Sequence, residues 1–329
     1  MTSRSRSLTR AALALVFAFT AAAQAQGPAA DYPSRPIRVV IPSAAGTGPD
    51  VNAREIAGEL AKALSQSVVV ENRPGASGII GTQLAAKAAP DGYTLFVGTN
   101  NSMAIVPSLY DNLPFDVAKD FVPVSLFGIL NVGLIANPNL GINDVGGLLA
   151  ALKAKPDAFN VATLGPGSFY HLSGEWFSQV AGPKLNFVAY SNTSPYADLM
   201  AGQVQLLFDA LPVAAGHARA GKLKLLAITG KERHPSFPQV PTFTEAGLPS
   251  FVPIVWTGLF APAGTPAAII DKLNAAMRKG VQDATLKERW ALTGGELRAM
   301  SPAEFGEFVA ASRAMWSKVA KQAGVKLTQ

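Results

Sequence analysis

A unit of strand, small-residue loop and helix near the start of the chain constrains the fold most. Residues 37–41 form a β-branched and apolar run that predicts a strand, and the apolar spacing at Val51, Ile56 and Leu60 predicts a helix after it. Asp50 stands directly before this apolar spacing and is predicted to be the N-cap of the helix. The segment therefore indicates a βα unit with a short loop at the carboxyl end of its strand.

The loop of this unit offers mainly its backbone. Residues 44–46 and 48 carry almost no side chain, so an anion can approach the N–H groups at the helix start, where the helix dipole favours negative charge. We interpret the loop as a candidate cradle for a carboxylate or phosphate, while an ordinary βα turn, in which the glycines only allow tight geometry, fits this segment equally well. Two nucleotide motifs are excluded, because Val51 stands where a dinucleotide fingerprint needs a glycine and Pro49-Asp50 where a P-loop needs lysine and serine or threonine.

The same plan occurs twice more along the chain. A strand over 67–72 is followed by the glycine loop 75–78 and a helix over 82–88, and a strand over 93–98 is followed by the polar loop 99–102. Three successive βα units predict a parallel α/β sheet. In such sheets ligands bind outside the carboxyl ends of the strands, which is where these three loops converge.

The second half of the chain predicts another α/β set. Two long apolar stretches, 121–137 and 251–260, are expected to cross between two lobes. We therefore predict a clamshell of two α/β lobes with a cleft between them, in which one lobe comprises residues 33–130 and 256–329 and the other residues 131–255. The strands predicted for the second lobe are 159–163, 185–190, 204–208 and 223–228, with a helix over 170–180, and the last three predicted helices are 267–282, 284–293 and 302–323.

The first 25 residues predict a secretory signal peptide. Arg4, Arg6 and Arg10 precede the small and apolar residues 11–23, and Ala23-Gln24-Ala25 fits the small-x-small pattern of a cleavage site, so we expect export with cleavage near Ala25. Loss of the three arginines lowers the formal charge from +6 to +3, which gives little support for nucleic-acid binding. The absence of cysteine excludes disulfides, iron–sulfur ligation and thiol catalysis.

Several short motifs, in order along nearly the whole chain after residue 31, carry a resemblance to one family. The sequence resembles the Bug-type substrate-binding proteins of the tripartite tricarboxylate transporter systems. The motifs are Tyr32-Pro33-Ser34-Arg35-Pro36-Ile37-Arg38, the loop to Asp50, Val70-Glu71-Asn72-Arg73-Pro74-Gly75-Ala76-Ser77-Gly78, Pro90-Asp91-Gly92-Tyr93-Thr94, Gly167-Ser168 with His171-Leu172, Pro241-Thr242 with Glu245-Ala246-Gly247, and Ala261-Pro262-Ala263-Gly264-Thr265-Pro266.

The resemblance implies a type II periplasmic-binding-protein fold and a function. The protein is expected to capture a small carboxylated solute in the periplasm, as a monomer without cofactor or metal, and to deliver it to a membrane permease. The chain departs from the family pattern at Ser43, Thr47 and Pro49 in the first loop and at Ser191-Asn192, where the family has lysine and glycine after the tyrosine. The altered loop implies an altered pocket wall, and specificity is expected to change with it.

The candidate ligand-binding residues lie on the loops of both lobes. They are Ser43, Ala44, Ala45, Gly46, Thr47, Gly75, Ala76, Ser77, Gly78, Thr99, Asn100, Gly167, Ser168, Tyr190 and Asp209.

Some of these residues have a structural alternative. Ser168 is expected either to touch ligand or to cap the helix that follows it, and Tyr190 either to form an apolar wall with a polar tip or to pack in the core. Asp209 is expected to line the pocket and hold an amine or hydroxyl of the ligand, with helix capping as the alternative, because a carboxylate repels an anionic ligand. His171, one turn into an apolar helix, is interpreted as a structural histidine.

Two other functional classes compete with a transport receptor. A serine hydrolase built from Ser168 or Ser77 with His171 and Asp209 is disfavoured, since neither serine stands in a Gly-x-Ser-x-Gly elbow. A catalytic metal is poorly supported, because the chain has three histidines and no His-Glu-x-x-His motif. A sensor that presents bound solute to a membrane regulator remains compatible with every feature above.

Overall fold

The computed structural model describes residues 31–155, 158–190 and 193–327. The predicted signal peptide, with its cleavage site near Ala25, and the pair Ser191-Asn192 lie outside the described residues. In the described part, none of the helices has the length and apolar character needed to cross a bilayer.

Eleven strands and ten α-helices alternate along the described chain. The strands are β1 Ile37–Ile41, β2 Val68–Asn72, β3 Thr94–Thr99, β4 Phe121–Leu130, β5 Val132–Ala136, β6 Asn160–Thr163, β7 Asn186–Ala189, β8 Leu206–Ala210, β9 Lys224–Ile228, β10 Val255–Pro262 and β11 Gly295–Leu297. The helices are α1 Gly48–Leu64, α2 Ile79–Ala86, α3 Val106–Leu109, α4 Val145–Ala154, α5 Phe169–Ala181, α6 Tyr196–Ala201, α7 Leu211–Arg219, α8 Ala267–Gly280, α9 Ala284–Leu292 and α10 Pro302–Ala323.

The three predicted βα units form one side of a six-stranded sheet with the order β11-β4-β10-β3-β1-β2. β1 pairs in parallel with β2 and with β3, as the sequence predicts. The sheet as a whole is mixed, because β10 returns from the second half of the chain and runs antiparallel to both β3 and β4. β4 therefore has the same direction as β1, β2 and β3, and all four strands end at one edge.

The second sheet has five strands in the order β7-β6-β8-β5-β9. β6 runs parallel to β7 and β8, whereas β5 runs antiparallel to β8 and β9. The carboxyl ends of β6, β7, β8 and β9 consequently lie at one edge, which is also where β5 begins.

The apolar stretch 121–137, predicted as a single crossing, is two strands that belong to different sheets. Asn131 separates β4 from β5; its N–H donates to the Gly294 carbonyl at 3.3 Å and its carbonyl accepts from the Leu211 N–H at 2.7 Å. Since β4 ends and β5 begins here, the carboxyl ends of the parallel strands of both sheets face this junction. The fold is the predicted two-lobed α/β clamshell.

The C-terminal helix α10 packs against elements of both sheets. Trp316 on this helix is buried, and its ring lies 5.5 Å from that of Phe169 and 5.7 Å from that of Trp176, both on α5 of the second sheet. Gln179 of α5 also donates a hydrogen bond to the Val319 carbonyl at 3.1 Å. The helix is thus a third connection between the sheets, besides the two chain crossings.

Candidate functional site

The first predicted loop is organised around the carboxylate of Asp50, which is not the N-cap. Helix α1 begins at Gly48 with Thr47 as the cap residue, so Asp50 lies inside the first turn. Its side chain folds back over the loop: Oδ2 accepts the Gly46 N–H at 2.9 Å and Arg54 Nε at 3.0 Å, and Oδ1 accepts Asn72 Nδ2 at 2.8 Å. The position is favourable because the carboxylate lies at the positive end of the helix dipole.

Asp50 therefore fills part of the cradle that the sequence assigns to a ligand. Burial alone would raise the pKa of Asp50, but the hydrogen bonds from Arg54, Gly46 and Asn72 outweigh it and lower the pKa below its usual range. The carboxylate is ionised at neutral pH, and the Gly46 N–H already has its acceptor. The exposed backbone of Ala44, Ala45, Gly46 and Thr47 and the half-buried Ser43 still line this edge of the sheet.

The second loop has an unusual backbone. Gly75, Ala76, Ser77 and Gly78 all have positive φ, at 121°, 48°, 56° and 94°. A left-handed backbone conformation at alanine or serine raises the free energy of the folded state by roughly 1–2 kcal/mol, because Cβ approaches the following carbonyl oxygen. The Ser77 carbonyl is held by Asn101 Nδ2 at 3.1 Å, which joins this loop to the one after β3. Such consecutive strain is typical of ligand-binding loops.

The third loop carries the buried residues Thr99 and Asn100. Thr99 is tied to Ser102, whose Oγ accepts the Thr99 N–H at 3.1 Å. Asn100 is 3% exposed, and in the described part of the chain its Nδ2 has no hydrogen-bond acceptor. The π-helical turn Asn101–Ile105 begins directly after it, and such turns occur frequently at functional sites. A buried NH₂ group without an acceptor destabilises the folded protein, so fold stability does not explain why an asparagine occupies this position.

In the second sheet, Gly167 and Ser168 form the start of helix α5. Ser168 is the N-cap, and its Oγ accepts the His171 N–H at 3.3 Å, so the capping alternative is confirmed. The Gly167 N–H donates to His171 Nδ1 at 3.1 Å. Contact of Gly167 or Ser168 with a ligand remains a prediction. Two N–H groups at this helix start, those of Gly167 and His171, already donate to acceptors within the protein.

His171 is a structural residue, as interpreted from the sequence. Besides the bond from Gly167, its Nε2 lies 3.6 Å from Glu175 and its ring packs edge-on against Phe187 at 4.7 Å. The ring nitrogens are used in these contacts, and the Ser168 hydroxyl bonds to the backbone of His171. The arrangement therefore lacks the serine-to-imidazole bond that a hydrolase needs.

Asp209 lies inside β8, one residue before its end, and not after the strand as predicted. It is 4% exposed and accepts Tyr170 Oη at 2.9 Å and the Ala210 N–H at 2.7 Å through Oδ1, and Tyr196 Oη at 2.5 Å through Oδ2. Burial raises the pKa of Asp209, and the hydrogen bonds from Tyr196 and Tyr170 oppose that rise. The predicted residue thus brings two tyrosines to the edge of the sheet.

The predicted Tyr190 is held in a similar way. Its Oη donates to Asp198 Oδ2 at 2.8 Å, and its N–H donates to the Thr163 carbonyl at 2.8 Å at the end of β6. Tyr196 stacks on His217, with ring centroids 4.2 Å apart. Sequence reasoning did not identify Tyr170, Tyr196 and Asp198 as residues of the site. Tyr170 was the one with a signal in the sequence, because it directly follows a predicted strand and its loop.

The structure thus brings the predicted residues together in two groups. Asn72 Nδ2 donates to the Ser43 carbonyl at 3.0 Å, and the Asn101–Ser77 bond joins the next pair, so the loops after β1, β2 and β3 form one group. The loops after β6, β7 and β8 form the other. In the described residues there is no cluster of three or more histidine, aspartate or glutamate side chains that can hold a metal ion.

Comparison with known proteins decides the family. The profile of the tripartite tricarboxylate transporter family receptors matches residues 52–325. The chain belongs to this family. A similar protein is BugT of Bordetella pertussis, which is 36% identical over 314 residues that span 95% of this chain and 96% of BugT.

Two similar solved structures contain an organic acid. An R. palustris protein determined with adipate has a TM-score of 0.81 and 33% identity, over 90% of this chain and 99% of that one. MatC from Rhodopseudomonas palustris with bound malate has a TM-score of 0.76 and 35% identity, over 88% of this chain and 99% of MatC.

Membership of the tripartite tricarboxylate transporter family receptors confirms the resemblance found in the sequence. The family consists of solute-binding receptors of a transport system, so the protein is a receptor and not an enzyme. A receptor of this family works outside the cytoplasm.

Proposed function

We propose that the protein binds one small carboxylated solute between its two lobes and passes it to the permease of a tripartite tricarboxylate transporter. The similar structures with adipate and malate support a carboxylate as the class of solute. The binding groups are the neutral donors at the carboxyl ends of the strands, because the loops 43–49, 75–78 and 99–102 contain no lysine or arginine.

The buried, unpartnered Nδ2 of Asn100 carries this proposal. It lies at the carboxyl end of β3, beside a loop in which all four residues from Gly75 to Gly78 have positive φ. A carboxylate oxygen is a strong acceptor for such an amide, and a hydrogen bond to a charged acceptor contributes about 1.5–3 kcal/mol. The solute would then complete a hydrogen bond that folding leaves unmade.

We further propose that the two sheets are the cores of two lobes that close on the solute. The lobes comprise residues 33–130 with 256–329, and residues 131–255. The position of Asn131 supports a hinge at this residue, because the chain passes from the first sheet to the second between β4 and β5. The contact between α10 and α5 supports a small rotation, since the buried Trp316 of α10 packs against Phe169 and Trp176 of α5.

Location and partners complete the proposal. The basic, apolar and small-residue regions of the first 25 residues support export to the periplasm with cleavage near Ala25. The family supports membrane permease subunits as the partner. A monomer without cofactor is sufficient for this role.

Isothermal titration calorimetry with a panel of small acids tests the function. The panel contains aliphatic and aromatic mono- and dicarboxylic acids, with and without an amino group, each beside its amide. We expect at least one acid to bind with one-to-one stoichiometry and its amide to bind at least tenfold more weakly, because the amide lacks the charge and one acceptor oxygen. Equal binding of acids and amides, or binding of no acid, would overturn the proposal.

A further inference from the structure

Two side chains of the proposed second lobe contact the carboxyl end of helix α9, which belongs to the proposed first lobe. His234 Nε2 lies 3.2 Å from the Ala291 carbonyl oxygen, and Arg219 Nη2 donates to the Leu292 carbonyl at 3.2 Å. The last carbonyls of a helix lack a regular partner within the helix, and the helix dipole favours a cation beside them. The end of α9 is therefore a suitable acceptor for both side chains.

The second hydrogen bond of His234 fixes the direction of this contact. Nδ1 accepts the Ser236 N–H at 3.0 Å, so the proton of the neutral ring is on Nε2, which donates to Ala291. His234 is buried, and its ring lies 5.9 Å from that of the buried Phe237. The Arg219 guanidinium lies over the same Phe237 ring at 5.4 Å. One aromatic side chain thus contacts both donors and orients them towards α9.

The backbone directly after α9 also approaches the second lobe closely. Gly294 has a φ of 78°, and a Cβ atom there would collide with the Leu211 side chain and lie 3.1 Å from the His234 ring. The Gly294 carbonyl accepts the N–H of Asn131, the residue at which the chain crosses between the sheets. A rotation about Asn131 displaces atoms in proportion to their distance from the axis, so these contacts move little when the lobes close.

This contact is distant from the predicted solute-binding loops of the first lobe. β11 follows α9, and β9 precedes the loop that carries His234; both are edge strands of their sheets. β3 is the nearest strand to β11 that carries a predicted loop, and it is three positions away in the sheet, or about 14 Å at the usual spacing of strands. His234 and Arg219 can therefore act on a solute in these loops through the arrangement of the lobes.

We propose that His234 and Arg219 are positioning residues for solute capture, because they fix the second lobe to the end of α9 and form a pivot on which the lobes close. This inference rests on the proposed function. A pivot limits the orientations that the solute-free lobes adopt, so less conformational freedom is lost when the solute joins them. The contact of Trp316 and Gln179 between α10 and α5 is a second point of attachment, and two points leave a rigid lobe one axis of rotation.

Calorimetry with the acid that the panel selects measures the effect on capture. His234→Phe keeps an aromatic ring and removes the donor to Ala291, and Arg219→Met keeps an apolar stem and removes the donor to Leu292. Each variant should weaken solute binding by roughly fivefold or more, because a hydrogen bond of the pivot is lost. His234→Gln retains an N–H donor and should bind the acid within about twofold of the wild type.

Arg233→Met is the matched control. Arg233 stands next to His234 in the chain, but it donates to the Glu245 carboxylate at 2.9 and 3.0 Å and to the Pro238 carbonyl at 2.9 Å, all within the second lobe. Its loss removes a comparable set of hydrogen bonds without touching α9. The affinity of this variant for the acid should equal that of the wild type.

The distance between the lobes gives a measurement that needs no solute. The chain has no cysteine, so Ser67→Cys and Lys184→Cys place one spin label before β2 and one before β7, at the sheet edges farthest from β11 and β9. Pulsed electron paramagnetic resonance then measures the distribution of distances between the labels. We expect this distribution to broaden in His234→Phe and Arg219→Met and to keep its wild-type width in Arg233→Met.

Wild-type affinity and wild-type distances in both pivot variants would show that the inference is wrong, while the proposed function stands. A broader distribution with unchanged affinity also overturns it, because the contact would then have no part in capture. If His234→Phe does not fold, Arg219→Met decides alone, since the Arg219 side chain is exposed. Binding of no acid by the wild type contradicts the proposed function; the distances then test the pivot by themselves, and unchanged widths would contradict it as well.

Discussion

The carboxylate of Asp50 accepts the backbone N–H of Gly46 at 2.9 Å, four residues back in the chain. This bond holds the first loop closed around an internal anion, at the place where the sequence suggests a ligand anion. The same carboxylate receives Arg54 and Asn72, so one buried group ties the helix α1, the loop after β1 and the end of β2 together. The proposed recognition of a solute carboxylate by this edge would therefore depend on its other donors.

Asp50→Asn should destabilise the protein at neutral pH by roughly 2 kcal/mol, because a charged acceptor of several hydrogen bonds is lost. Since the folded-state pKa of Asp50 is lowered, its stabilisation is complete above the unfolded pKa and disappears as the pH falls through the folded pKa. Urea unfolding at several pH values measures both effects. The gap between wild type and variant should shrink in acid below about pH 4.

Asp111→Asn is the control for this prediction. Asp111 pairs with Lys326 at 2.6 Å, but both side chains are about two-thirds exposed, at 68% and 67%. Exposed ion pairs contribute little, so this variant should change stability by less than about 1 kcal/mol. Equal effects of the two variants would show that Asp50 does not organise the loop.

Asn100→Leu should leave the free energy of unfolding unchanged or raise it, because the substitution removes a buried NH₂ group that has no acceptor. It should also abolish binding of the carboxylate. Asn137 is equally buried, but its Nδ2 donates to the Leu199 carbonyl at 2.7 Å and the Met200 carbonyl at 3.0 Å. Asn137→Leu should therefore lose about 1–3 kcal/mol of stability and, as long as it is folded, retain affinity. The opposite pattern in chemical denaturation and calorimetry would remove Asn100 from the site.

Ala76→Gly and Ser77→Gly should stabilise the fold by up to about 1 kcal/mol each, because glycine tolerates positive φ. Each should also weaken the affinity for solute, because the loop becomes less rigidly held in its binding conformation. Ser65 has a φ of 52° at the far end of α1, so Ser65→Gly is a control that changes stability without affinity. Unchanged affinity in all three variants would mean that the strain in loop 75–78 has no part in binding.

Ser168→Ala should lower stability by about 1 kcal/mol through loss of the N-cap of α5. Asp283 caps α9 by accepting the Leu286 N–H at 2.8 Å, so Asp283→Ala should have a similar cost. If the Ser168 hydroxyl also donates to solute, as predicted, affinity falls in the first variant alone. Identical binding by both variants would leave Ser168 as a cap and nothing more.

Local sequence signals account for much of the fold. Helix α10 has the predicted bounds because Ser301 and Glu304 form a capping box at its start and Gly324 takes a left-handed conformation at its end. The break at Asn131 was not predictable, since the apolar pattern runs on from β4 to β5 and the break is held by bonds to Gly294 and Leu211.

The site was less accessible from the sequence than the fold. The helix rules predict Asp50 as the N-cap because it stands directly before the apolar spacing, but the helix already begins at Gly48, with Thr47 as its cap. The bonds from Tyr170 and Tyr196 to Asp209 span 39 and 13 residues, so only the fold brings these groups together. The sequence also does not show that Asn100 Nδ2 is buried without an acceptor, because this depends on how the surrounding elements pack.

The most direct test of carboxylate capture is a crystal structure of the protein with the acid that calorimetry selects. We expect one carboxylate oxygen at about 2.7–3.2 Å from Asn100 Nδ2, between the two lobes and beside loop 75–78. An acid bound elsewhere, such as the groove of about 550 Å³ that Trp176 and Met315 line between α5 and α10, would contradict it. So would an acid in the cleft with Asn100 Nδ2 still without an acceptor.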